Sequence, residues 1–249
     1  MIANPVVELG NRLLCGLSLR AQELVAADLE QFALPAGHVL YAPFTPIDFV
    51  YFPETAVASM IRRMSDGAGV EVGTIGREGV VGGAVALGAV ATPTECVIQV
   101  AGNVQRMSTG ALRTLIGLPR DDDDDSATLF DLMLLYAQAL FEQCAQTAAC
   151  NRLHALEHRC ARWLLMIHDR VNGDELLLTQ EFLSYMLGVR RAGVTEACGT
   201  LMRAGLIKYR HGRITVTDRT GLEAAACECY QVAVDAYDNL LGSSLVTCV

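Results

Sequence analysis

An α+β fold is predicted, with short antiparallel strands in the first half of the chain, a long helix in the middle, and a helical unit with its own hairpin at the end. Three observations predict it. Turn residues recur at intervals of about ten from His38 to Ser108. Apolar residues repeat with alternating four-three spacing from Ser126 to His154. Two short helical patterns then flank Gly188, ahead of a hairpin rich in Arg.

Composition bounds the possibilities. A chain of 249 residues can bury a sizeable core without metals or disulfides, and is long enough for one large domain or two ordinary ones. With 52% hydrophobic and 19% charged residues it is neither a disordered tail nor a collagen-like repeat. The uncharged stretch Gly79 to Thr94 is too short and too rich in glycine to cross a bilayer as a helix, which needs about 20 apolar residues. The first ten residues carry Glu8 and lack the basic start and apolar run of a signal peptide, so a soluble cytoplasmic protein is expected. In that compartment the nine cysteines are expected as reduced thiols. The net charge of -9 is unevenly spread: residues 151–219 hold ten Arg and Lys208 against seven acids, a balance of +4, and the remainder sums to -13. An acidic body with a basic C-terminal segment is expected where one module meets a polyanion and another does not.

Taken in order, Ser18 is a natural cap for a short helix whose apolar positions Leu24, Val25, Leu29 and Phe32 recur at three-to-four spacing. Strands are expected at His38–Ala42, Asp48–Phe52, Val57–Met64, Val70–Ile75 and Cys96–Ala101, an arrangement of short strands and regular turns that suggests an antiparallel sandwich or barrel. Helix returns after Ser108 and is broken by the five aspartates Asp121–Asp125, which lack the spaced ligands of a calcium loop and read as a connector. In the long helical pattern, Phe130, Ala137, Cys144 and Asn151 form one heptad row and Met133, Leu140, Thr147 and His154 a second. Those rows resemble the seam of a two-stranded coiled coil and predict a homodimer, the other reading being a core helix packed on its own domain. A further helix is expected over Ala155–Val171, ending at Asn172-Gly173.

Thr179 is a natural cap for the next helix, which has Leu183, Met186 and Leu187 on its apolar side; Gly188 marks a turn, and helical spacing resumes from Val189 to Met202. Lys208 to Arg213 and Ile214 to Val216 then read as a β-hairpin with a basic tip. A helix-turn-helix followed by such a hairpin is a winged helix. Its second helix is slim enough to enter a major groove, while the hairpin cations neutralise flanking phosphates. Arg191 is expected to pair with a base and Arg190 with a phosphate. Thr195 and Glu196 fall one turn later on the same face. Thr179, Gln180, Lys208, Arg210 and Arg213 complete the expected DNA contacts. No catalytic or metal-ligating set is recognised, and Cys227 and Cys229 read as structural residues in preference to a redox pair.

The order of strands, long helix and winged helix, with Leu187-Gly188-Val189-Arg190-Arg191 and Ala204-Gly205-Leu206-Ile207, resembles the Crp/Fnr family of bacterial transcription regulators. The segments Cys150-Asn151-Arg152-Leu153-His154 and Cys227-Glu228-Cys229-Tyr230 are similar to a subgroup of predicted regulators. The resemblance implies a β-roll of the cyclic-nucleotide-binding type over residues 1–125, a dimerisation helix over 126–154 and a DNA-binding unit with a C-terminal helix over 155–249. It also implies a homodimer on a roughly palindromic DNA site, and contact with RNA polymerase if the protein activates. Where cyclic-nucleotide-binding members carry Gly-Glu and a phosphate-binding Arg, this chain has Gly82-Gly83 and no Arg or Lys from Glu78 to Gln105. With only Cys15 near its start, it also lacks the N-terminal cysteine cluster of an iron–sulfur lineage. No cofactor is expected, and haem is disfavoured because no Cys-x-x-Cys-His occurs. The alternative to a DNA-binding regulator is a small-ligand sensor or scaffold whose C-terminal helices contact protein.

Overall fold

The computed structural model describes residues 9–118 and 127–242. The Asp121–Asp125 run, Ser126 and Cys248 lie outside the described residues. The N-terminal half begins with two short helices, α1 (Arg12–Cys15) and α2 (Leu19–Ala26). It continues through seven strands: β1 (Glu30–Leu34), β2 (Val39–Tyr41), β3 (Phe49–Pro53), β4 (Val57–Arg63), β5 (Gly69–Ile75), β6 (Glu95–Val100) and β7 (Gly102–Ser108). They form two antiparallel sheets, ordered β1-β7-β3 and β2-β6-β4-β5, which enclose a core containing Val50, Phe52, Ile98, Val104 and Met107. All five expected strands are present.

Strand β1 corrects the reading of Leu29 and Phe32 as helical. The helix capped by Ser18 ends at Ala26, and Phe32 pairs with Val104 across the sheet. An aromatic at three-to-four spacing fits a helix face locally, but here the edge of β7 and the Arg106 guanidinium decide. Arg106 lies 4.0 Å from the centre of the Phe32 ring and forms a 3.0 Å ion pair with Glu30.

After α3 (Thr109–Ile116), the long helix α4 (Leu129–Leu153) starts at a reciprocal cap in which the Thr128 side chain accepts from the Asp131 amide and the Asp131 carboxylate accepts from the Thr128 amide. One face of α4 seats Leu132, Met133 and Tyr136 in the β-roll core. The C-terminal unit comprises α5 (Leu156–His168), β8 (Glu175–Leu177), α6 (Gln180–Leu187), α7 (Arg191–Arg203), β9 (Ile207–Arg210), β10 (Arg213–Val216), α8 (Arg219–Ala225) and α9 (Cys229–Leu241). Its sheet has the order β8-β10-β9, and α9 folds back along α4, where the Tyr237 hydroxyl donates to Gln143 Oε1 at 3.0 Å.

The two predicted heptad rows do not form a free seam. Met133 is in the core, Leu140 and Cys144 lie over Gly73 of β5, Thr147 accepts from Arg162, Asn151 from Arg159, and His154 touches Cys229. The stripe left open is Leu134, Gln138, Phe141, Ala145, Ala148 and Arg152, which has the same four-three spacing displaced by about one position. Seven of the nine cysteines carry free thiols, as expected; Cys15 differs in being disulfide-bonded.

Two buried polar contacts join the halves. Trp163 Nε1 of α5 donates at 2.8 Å to Glu71 of β5, whose carboxylate also accepts from Ser59 at 2.5 Å and Thr74 at 2.8 Å. Arg170 pairs with Glu78 at 2.8 Å, both side chains only 9% exposed. Burial raises the Glu71 pKa in spite of its three donors. A raised carboxyl pKa in the folded state contributes stability that is full below the ordinary carboxylate range and lost as pH rises through the folded value. Thermal stability should therefore fall across that window in the parent protein and be flatter in Glu71→Gln, with fluorescence of Trp163, the chain's one tryptophan, reporting the contact. Glu71→Ala should be the more damaging change, at about 1–3 kcal/mol for each buried donor left unpaired, measured by denaturant unfolding.

Candidate nucleic-acid interface

Helix α6 begins where Thr179 Oγ1 accepts from the Phe182 amide at 3.1 Å, and it buries Leu183, Met186 and Leu187 against α7 and the small sheet. Its end is set by Gly188 at φ 63° and ψ 38°, in the left-handed region that favours glycine. Helix α7 starts later than the Val189 expected from spacing. Arg190 is extended, with ψ 148°, and Arg191 is the first helical residue. A left-handed glycine, a bend at Val189 and the extended Arg190 are what swing the second helix away from the first.

Within α7, Val194, Ala197, Cys198 and Leu201 are buried at helical spacing. Arg191, Thr195, Glu196, Thr200 and Arg203 stand on the opposite, exposed side, and Arg190 is exposed just before them. Thr195 Oγ1 lies 3.1 Å from both the Arg191 carbonyl and Gln180 Oε1, which connects the half-buried Gln180 of α6 to the exposed face of α7. Gly193 sits where an added Cβ would meet Leu156 Cδ2 at 3.0 Å, so it permits close packing of α7 on α5.

The hairpin forms as expected. His211 at φ 52° and Gly212 at φ 76° make a two-residue turn between β9 and β10, and both conformations suit the twist of the flanking strands. Lys208 and Arg210 are exposed and form no ion pair among the described residues. Arg213 is exposed too, but pairs with Glu175 of β8, so part of its charge is already balanced. Arg190 and Arg191 also lack a carboxylate partner among the described residues. Thr179, at the start of α6, is exposed on the Gly212 side of the turn. The nine expected contact residues thus come from three neighbouring elements, α6, α7 and the hairpin.

In the stretch without Arg or Lys, Glu78 and Glu95 acquire cations from elsewhere in the chain. Arg170 pairs with Glu78, and Arg63 with Glu95 at 2.5 Å. Sequence reasoning missed one further constellation. Cys150 and His154 at the end of α4 meet Cys227 and Cys229 at the start of α9, with one donor atom from each residue all within 4.8 Å of one another. Cys-x₃-His on a helix and Cys-x-Cys were both visible, but neither half is informative without the other.

Residues 158–225 match the Crp-like helix-turn-helix domain, which spans α5 to α8 and contains every expected contact residue. The fold is similar to FixK2 from Bradyrhizobium japonicum, with TM-score 0.65 and 15% identity over 80% of this chain and 98% of that one. It is similar to a CRP-family transcriptional regulator from Thermus thermophilus, with TM-score 0.63 and 18% identity over 79% and 96%. The c-di-GMP-responsive global regulator CLP of Xanthomonas campestris gives 0.61 and 15% over 80% and 99%. No curated protein matches the sequence. The β-roll, the long helix and the matched domain give the chain the fold of these DNA-binding regulators. The match assigns residues 158–225 to a Crp-like helix-turn-helix domain, and the fold of the whole chain is similar to those of Crp/Fnr-family regulators.

Gly188 offers a local test. Gly188→Ala forces a side chain into the left-handed region at about 1–2 kcal/mol, and its Cβ would approach Val70 Cγ2 at 2.9 Å. The melting temperature should drop by several degrees, whereas Gly110→Ala, at an open helical position of α3, should leave it within error or raise it.

Proposed function

We propose that the protein binds a roughly palindromic DNA site as a homodimer, each copy placing α7 in the major groove, with recognition helices one DNA turn, about 34 Å, apart. The observation that carries this reading is the pair Arg190 and Arg191, exposed and without a carboxylate partner among the described residues at the start of α7, just past the left-handed Gly188. Arg191 reads a guanine through O6 and N7, and Arg190 holds a phosphate. Thr195 and Glu196 contribute to base reading one turn on. Thr179, Gln180, Lys208, Arg210 and Arg213 position the protein on the backbone. The functional units are residues 1–125 for sensing, 126–154 for dimerisation and 155–249 for DNA binding. The protein acts by binding and not by catalysis, in the cytoplasm, with RNA polymerase as a further partner where it activates. Among the described residues, no helix is long and apolar enough to cross a membrane.

The homodimer reading is supported by the open stripe on α4. Leu134 is 40% exposed and Phe141 66%, and a second copy of α4 laid along them buries both. Phe141→Glu leaves the core untouched and should turn a dimer into a species of 26.8 kDa in sedimentation; an unchanged dimer mass would move the interface elsewhere.

On DNA, Arg191→Ala should weaken specific binding by about 1–3 kcal/mol per half-site and relax the base preference there. Lys208→Ala and Arg210→Ala should weaken all sequences alike and flatten the salt dependence, by about one counterion for each phosphate no longer neutralised. Mobility-shift titrations on genomic fragments at several salt concentrations measure both effects. Specific binding that survives the double change of Arg190 and Arg191 to Ala would favour a protein-binding role for these helices.

A further inference from the structure

We propose that Cys150, His154, Cys227 and Cys229 hold one zinc ion that ties the end of α4 to the start of α9. Cys150 and His154 are four residues apart, and so face the same way at the last turn of α4. Cys227 and Cys229 flank Glu228 at the entrance to α9. Cys150 Sγ lies 3.5 Å from Cys227 Sγ, and Cys229 Sγ 3.4 Å from His154 Nδ1. A tetrahedral zinc with bonds of about 2.3 Å to sulfur and about 2.0 Å to nitrogen requires donor separations of roughly 3.5–3.8 Å. Those two edges are therefore close to ligand spacing.

Three further observations point to a cation. Cys150, Cys227 and Cys229 form a buried cluster that contains no larger apolar side chain, which makes a poor hydrophobic core and a good ligand set. The His154 ring is oriented for coordination: Nε2 lies 3.2 Å from the Glu228 carboxylate, so an Nε2–H donates outward and the Nδ1 lone pair faces the sulfurs. Gln146 Nε2 donates to Cys229 Sγ at 2.9 Å, a contact suited to a thiolate acceptor.

The charge balance also closes. On binding, three thiols give their protons to solvent, and three thiolates with a neutral imidazole and a divalent ion leave a net charge of about -1. Arg159 and Arg162 of α5 lie within electrostatic reach of Cys150, and Arg159 also of Cys227, which places positive charge beside that site. Arg162 is itself buried, with an Nε that has no hydrogen-bond partner. Four protein ligands leave no open position, so the ion is structural; sulfur-rich tetrahedral coordination selects zinc over magnesium or calcium. It would fix the junction of α4 and α5 at Ala155 from the far side, through α9.

The test uses the full-length chain purified under reducing conditions. Elemental analysis should find about one zinc per chain, and below about a tenth of that in the double variant Cys227→Ser, Cys229→Ser. Cobalt added to the metal-free parent protein should give thiolate charge-transfer absorption and the intense visible bands of a tetrahedral site, a readout that stands even if the double variant fails to fold. Glu228→Gln lies outside the ligand set, on an exposed side chain, and should weaken zinc about tenfold in competition with a chromophoric chelator. Any of three results would overturn the proposal: a folded, zinc-free parent with no cobalt–thiolate absorption, zinc content unaffected by the double Ser change, or a Cys150–Cys227 disulfide or iron chromophore in place of zinc.

Discussion

The constraint on which the rest of the structure depends is the division of labour around α4. This 25-residue helix has to serve several surfaces at once. Leu132, Met133 and Tyr136 close the β-roll, Leu140 and Cys144 cover Gly73, and Gln143 bridges the Thr74 carbonyl and the Tyr237 hydroxyl of α9. Because these contacts consume most of its circumference, a single face is left open, and its position follows from the packing of its neighbours. Helix α9 matters here as much as the sheet does, since it occupies a face that would otherwise be solvent.

Glu71 and Trp163 couple the two halves through a buried hydrogen bond, and Arg170 and Glu78 through a buried ion pair. Such contacts are costly to leave half-made, because a donor or charge stripped of its partner stays desolvated. They therefore favour one relative placement of the β-roll and the helix-turn-helix over a range of loose ones. Val57 and Ile61 of β4 reinforce this by packing into the same apolar cluster as Trp163 and Leu164.

How much was legible in the sequence varied with how local the signal was. Gly188, the Thr179 cap and the His211-Gly212 turn were legible because each is a backbone requirement satisfied within four residues. The strands were readable from their turns. Strands β1 and β7 were not, since Phe32 fits a helical face until β7 supplies its partner and β7 follows β6 after Ala101 alone, and β8 was hidden because Glu175–Leu177 is short and follows the Asn172-Gly173 turn. The open stripe on α4 lies one position away from the predicted rows, for periodicity reveals that stripes exist but not which of two adjacent ones the chain's own sheets consume. The cysteine–histidine cluster was the least accessible, because Cys150 and Cys227 lie 77 residues apart and only the return of α9 brings them together.

Gly188 sits so close to β5 that a Cβ added there would meet Val70 Cγ2 at 2.9 Å, and this has a mechanical consequence. Tyr185 of α6 lies under the Arg63 guanidinium of β4, 5.4 Å from the ring centre, and α6 packs on β5, so the helix-turn-helix rests directly on the β-roll sheet. A displacement of β5 by the width of a methyl group would be felt at the root of α7 without travelling along α4 at all. A single valine thus stands between the β-roll and the turn of the helix-turn-helix.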